Sequence, residues 1–163
     1  MTVYKQFELE LEVKLLKYPT NWGPIFRSGR IEMSEDGSRN PRILFYQSHL
    51  LRFTSAVNGD KEYYVNLNNV FPLNKWTQLK ASQLLSPEGE YIYRVYVDGV
   101  EKHSVVNNRP LEIGNADIQL ESYGDVDGDG NTDASLRNMR FATHDCPATY
   151  SFDGQKCIGK SLF

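Results

Sequence analysis

From residue 7 to residue 15 the chain alternates without a break. Phe7, Leu9, Leu11, Val13 and Leu15 are apolar, and Glu8, Glu10, Glu12 and Lys14 fall between them. In an extended strand successive side chains point to opposite faces, so this pattern makes one buried face and one solvated face. A helix would scatter the same residues around its circumference. Shorter runs of the same kind follow. Residues 42–46, 50–57, 62–67, 76–84, 91–97, 101–106, 116–122 and 135–142 read as strands, and residues 25–31 as a strand broken at Gly29. Asn58-Gly59 and Asp98-Gly99 are two-residue hairpin signals, while Ser86-Pro87-Glu88-Gly89 and the polar stretch 34–41 read as turns. Residues 19–24 read as a further turn, with Trp22 folded over an edge of the core. In residues 76–84, Trp76 and Leu79 or its neighbours are expected inward. About ten short strands, closely spaced turns and no convincing helix predict an all-β, antiparallel sandwich or barrel.

The 163 residues suffice for one domain with its own core and leave no room for a second full-sized one. A net charge of −3 offers no basic stripe for nucleic acid. No run of eighteen apolar residues exists to span a membrane, and the N-terminus alternates where a signal peptide would be continuously apolar. Met1 is therefore read as an initiator on a fragment of a longer secreted chain. Cys146 and Cys157 are separated by ten residues, enough to close a small disulfide loop in an oxidising compartment; the alternative is two free thiols. There is no N-x-[ST] sequon.

The densest chemistry lies in residues 124–136, GDVDGDGNTDASL. Asp125, Asp127, Asp129, Asn131 and Asp133 occupy positions 1, 3, 5, 7 and 9 of a D-x-[DN]-x-[DN]-G calcium loop, with Gly130 at the sharp turn. Unneutralised, so many carboxylates in nine residues repel one another; around Ca²⁺ they are a ligand shell. The alternative is a solvated acidic turn. Position 12, where a bidentate Glu is usual, is Leu136, expected to point into the core from the following strand. No flanking helices are evident, so this is a calcium loop outside an EF-hand domain.

Catalysis has thin support. Glu8, Glu10 and Glu12 share a strand face at a spacing of roughly 7 Å, which would suit a pair of glycosidase carboxylates, but a solvated strand face accounts for them equally well. His49, His103 and His144 are scattered and read as surface or turn residues, and no G-x-S-x-G or phosphate loop is present. The chain is read as a non-enzyme.

From residue 72 onward the sequence resembles the laminin G-like and pentraxin-like domains of the concanavalin A-like lectin/glucanase superfamily. The resemblance rests on PLNKWTQL at 72–79, YRVYVDG at 93–99, LEIG at 111–114 and ASLRNMRF at 134–141, in that order. It implies a two-sheet antiparallel jelly roll with little or no helix over residues 1–145, the acidic loop at a rim, and residues 146–163 as a cysteine-containing tail or the start of a further module. It also implies an extracellular recognition or adhesion domain that binds Ca²⁺ and a carbohydrate or glycoprotein partner. A structural-calcium module for protein assembly and a small glycoside hydrolase are the alternatives. Tyr123, Trp22 and Tyr64 are the candidate ligand-stacking aromatics.

Overall fold

The computed structural model describes residues 1–19, 22–29, 40–46, 50–68, 71–120, 133–145, 150–152 and 157–159, and for residues 22, 46, 150–152 and 157–159 the backbone alone. The strands are β1 (Gln6–Leu15), β2 (Trp22–Gly29), β3 (Arg42–Tyr46), β4 (Leu50–Val57), β5 (Asp60–Asn68), β6 (Trp76–Leu85), β7 (Tyr91–Val97), β8 (Val100–Val106), β9 (Asp117–Leu120), β10 (Ala134–His144), β11 (Tyr150–Phe152) and β12 (Cys157–Gly159). Among the described residues there is no helix, and so none long and apolar enough to cross a membrane.

Ten strands form two antiparallel five-stranded sheets, in the orders β10-β1-β6-β7-β8 and β5-β4-β3-β2-β9, while β11 and β12 pair with each other. The alternation of β1 is realised as expected: Phe7, Leu9, Leu11, Val13 and Leu15 are buried, and the intervening residues lie on the outer face. Against them pack Phe26, Ile43, Phe45, Leu51 and Phe53 from the other sheet. Phe26 meets Phe141 at a centroid distance of 5.4 Å near one edge, and Tyr63 meets Tyr93 edge-on at 6.4 Å near the other. Each fully buried Phe or Leu contributes about 1.5–3 kcal/mol, against roughly 0–1 kcal/mol for an exposed ion pair. The sandwich is therefore held by its interior, and the polar outer faces are free to serve other ends.

Both predicted hairpin turns are present. Asn58 and Gly59 have φ of 55° and 86°, and Asp98 and Gly99 have 49° and 76°. Positive φ at both central residues is the type I′ geometry that matches strand twist.

Three expectations are corrected. β2 begins at Trp22, within the stretch read as a turn. Trp76 pairs with Lys14 on the outer face, and it is Thr77, Leu79 and Ala81 that point inward. Leu136 stands beside Val13 but remains 37% exposed, because β10 is the outermost strand of its sheet and no further strand covers it. Residues 30–31 and 121–122, the ends of two predicted strands, lie outside the described residues.

Candidate functional site

Asp125, Asp127, Asp129 and Asn131 lie outside the described residues, as does Tyr123. Asp133 is exposed, and its carbonyl accepts a 2.7 Å hydrogen bond from the Leu16 amide, tying the end of the acidic stretch to the end of β1. β9 is the last strand of one sheet and β10 the first of the other, so the acidic stretch falls in sequence between the two sheets. Cys146 and His49 also fall outside the described residues, and Cys157 opens β12. Trp22 pairs with Tyr46 in the β2–β3 ladder.

Tyr64 is well placed for contact. It is 54% exposed on the outer face of the second sheet, and the Arg52 guanidinium lies 4.2 Å from its ring centroid. Arg52 Nε also donates to Asn66 Oδ1 at 2.8 Å. One side of the ring is thus already engaged.

The outer face of the first sheet carries a more elaborate polar surface. Register places Arg140, Glu10, Lys80, Tyr96 and Glu101 in one row across β10, β1, β6, β7 and β8, so that charge alternates over the first three strands and the neutral Tyr96 separates Lys80 from Glu101. Opposite charges across a ladder attract, and several of these groups and their neighbours on the face are paired. Gln78 Nε2 donates to Glu10 Oε1 at 2.6 Å, and Lys80 Nζ lies 2.8 Å from Glu8 Oε2. Glu12 accepts from Arg137 Nε and from Asn138 Nδ2. Arg94 Nε lies 3.5 Å from Glu101. Burial raises the Tyr96 pKa, Arg94 opposes the rise and Glu101 adds to it. Glu10, Gln78, Lys80, Tyr96 and Gly99 line an open depression of about 380 Å³. The three glutamates of β1, read from sequence as a solvated face or a catalytic pair, are members of this paired network.

Trp76 belongs to the same face but is occupied. The Arg137 guanidinium lies 4.0 Å from its ring centroid and the Lys14 ammonium 5.3 Å. Nor are the described histidines simple surface residues. His144 is 7% exposed, and His103 Nε2 lies 2.8 Å from the Tyr63 hydroxyl, joining the sheets across their edge. Among the described residues no group of three or more His, Cys, Asp or Glu is arranged to hold a metal.

No protein-family model matches the sequence, and no curated protein matches it. Solved structures do match. The CBM40 of the Ruminococcus gnavus IT-sialidase, bound to α2,3 sialyllactose, superposes with a TM-score of 0.58 at 9% identity, over 85% of this chain and 76% of that one. Botulinum neurotoxin type C, whose cell entry depends upon interaction with two ganglioside molecules, gives 0.55 at 14% identity, over 85% of this chain and 32% of that one. The native heptameric SAP-like pentraxin from Limulus polyphemus gives 0.54 at 15% identity, over 86% and 64%. The fold is the concanavalin A-like jelly roll. At these identities the likeness is one of architecture, and the chain spans less than two thirds of the pentraxin and about a third of the neurotoxin chain.

Lys80, Gln78 and Tyr96 had no individual signal in the sequence. Alternation within residues 76–84 and 91–97 marks them as one face of a strand, but only strand order brings them beside Glu10.

Proposed function

We propose that this chain is a non-catalytic, extracellular carbohydrate-recognition domain that binds a glycan or a glycoprotein. The observation that carries the reading is the depression on the outer face of the first sheet, where a carboxylate, an amide and an ammonium converge beside an aromatic ring. Sugar sites need that combination, since ring hydroxyls require both donors and acceptors and the ring itself packs on an apolar surface. The CBM40 and neurotoxin likenesses support the reading through what those proteins bind. The pairing of Glu8, Glu10 and Glu12 with Lys80, Gln78 and Arg137 favours orientation of a ligand over proton transfer.

In this proposal Ca²⁺ is held by Asp125, Asp127, Asp129, the Asn131 carbonyl and Asp133, as the spacing of the loop suggests. Asp133 fits the role in that its side chain is exposed while its backbone is anchored to Leu16. Residues 1–145 form the recognition unit. Residues 146–163 form a tail closed by a Cys146–Cys157 disulfide, or open a further module. Tryptic mass spectrometry without reductant tests the bridge: a linked peptide pair is expected, and free thiols on both cysteines refute it.

The function is tested on a glycan array with the full chain, in calcium and in chelator. Saturable capture of a defined glycan set is expected. An array silent under both conditions, or release of reducing sugar that Glu10→Gln abolishes, would overturn the reading.

A further inference from the structure

The outer face of the first sheet contains two aromatic residues with different availability. Trp76 is covered by Arg137 and Lys14. Tyr96 instead stands opposite Glu101 in the β7–β8 ladder and forms part of the wall of the depression. Beside it, Lys80 and Glu10 lie in the same cross-strand row, and Gln78 is two residues along β6. The fifth member of the lining is Gly99, at φ 76° in the β7–β8 turn; a Cβ built there meets no atom within 4 Å. The mouth of the depression is thus open at the one position where the turn itself calls for glycine.

Within the lining Lys80 is paired with Glu8, while Glu10 is held by the neutral Gln78 amide, and both keep hydrogen-bonding capacity. Gln78 uses one of about four lone-pair sites on Glu10, and Glu8 takes one of three N–H groups of Lys80. An anionic ligand would bring its charge beside the Glu10 carboxylate, and the like charges oppose it. A hydroxyl displaces nothing, since it donates to Glu10 or to Gln78 Oε1 while accepting from Lys80. Neighbouring hydroxyls on one ring can do both at once. A depression of about 380 Å³ lies at the small end of the roughly 300–1,000 Å³ range of ligand sites, which suits one sugar ring.

We infer that this depression is a single-ring subsite for an uncharged pyranose, with Tyr96 as the platform, Glu10, Gln78 and Lys80 reading adjacent hydroxyls, and Gly99 keeping the entrance open. The inference rests on the carbohydrate reading above and narrows it to one face and one ligand class.

The test is a titration of the full ¹⁵N-labelled chain with methyl glucoside, methyl galactoside and methyl mannoside, and with glucuronic acid, followed by amide shifts. At least one neutral glycoside is expected to move the amides of Gln78, Lys80, Tyr96 and Gly99, and to bind about tenfold more tightly than glucuronic acid. Tyr96→Ala removes the platform. Gly99→Asn fills the entrance without forbidding the turn, since Asn58, Asn74, Asn115 and Asn138 already adopt positive φ in this chain. Each variant should keep the wild-type dispersion of amide shifts and lose about tenfold in affinity. Shifts centred on Arg52, Tyr64 and Asn66, unchanged affinity in Gly99→Asn, stronger binding of glucuronic acid, or no binding of the single-ring glycosides by a chain that captures array glycans would overturn this inference and leave carbohydrate recognition standing. Failure of every sugar, on the array and in the titration, would overturn both.

Discussion

Among the described residues Tyr93 is the largest fully buried side chain, packed between Phe7 and Tyr63 at 6.4 Å from each, and its hydroxyl has no hydrogen-bond partner among them. Burial pushes its pKa above the usual tyrosine range. An unsatisfied buried hydroxyl costs about 1–3 kcal/mol, whereas the ring contributes its full apolar area. Tyr93→Phe keeps the ring and removes the burden, so it should stabilise the fold by about 1 kcal/mol. Urea unfolding checks this through the midpoint at constant m-value, and a lower midpoint would contradict it. Trp76 shows the reverse arrangement. An aromatic expected to be core is stable on the outer face because Arg137, brought by β10, and Lys14, brought by β1, cover it. Neither partner can be recognised from the sequence around residue 76.

Strands are joined at their ends by polar clasps. Asn107, 1% exposed, follows β8; its Nδ2 donates to Ala56 O at 2.9 Å and Gln83 Oε1 at 2.6 Å, and its Oδ1 accepts from the Asn58 and Arg109 amides at 2.7 and 3.1 Å. It therefore ties the β4–β5 turn to β6. Asn107→Ala leaves those groups without their partner and should cost about 3 kcal/mol, visible as a lower urea midpoint. Asn107→Asp should not recover the loss, because its second oxygen would face the Ala56 and Gln83 oxygens and carry a buried charge.

A second clasp, between Tyr63 on β5 and His103 on β8, gives the fold a pH dependence. Burial lowers the His103 pKa, with Glu101 partly opposing, and burial likewise lowers that of His144, with Glu8 and Asp145 partly opposing. With the folded value below the unfolded one, the unfolded chain takes up the proton first. The contribution of neutral histidine is then complete above the unfolded pKa of about 6.5 and is lost as pH falls through the lower folded value. Melting temperature should decline between about pH 7 and pH 5, and less so in His103→Gln. An equal slope in that variant would remove His103 from the account.

For the molecule as a whole, the consequential question is how the acidic stretch between β9 and β10 is stabilised. If it holds Ca²⁺, free calcium at a hundredfold excess over Kd adds about 2.7 kcal/mol of linkage, or a rise of roughly 5–10 °C in Tm for a chain of this size. The rise should be reversed by chelator and abolished in Asp127→Asn/Asp129→Asn. A Tm indifferent to calcium would leave the loop as a solvated acidic turn.

Local information determined most of the architecture. The alternation of β1, the runs that became β3 to β8, and the Asn58-Gly59 and Asp98-Gly99 turns are legible in the sequence because strand periodicity and turn chemistry are properties of a few adjacent residues. Edge position was not legible, and so Leu136 was expected in the core and is 37% exposed on the outermost strand. The same limit applied to the candidate site. Glu10, Lys80, Tyr96 and Glu101 are spread over more than half the chain, and they form one row only because β1, β6, β7 and β8 are neighbours in a particular register. Sequence alternation determined that Glu10 would face outward from β1, whereas Lys80 shares a face with Trp76, which was expected inward; tertiary pairing decided which residues would meet, because contacts between distant residues depend on strand order and not on spacing along the chain.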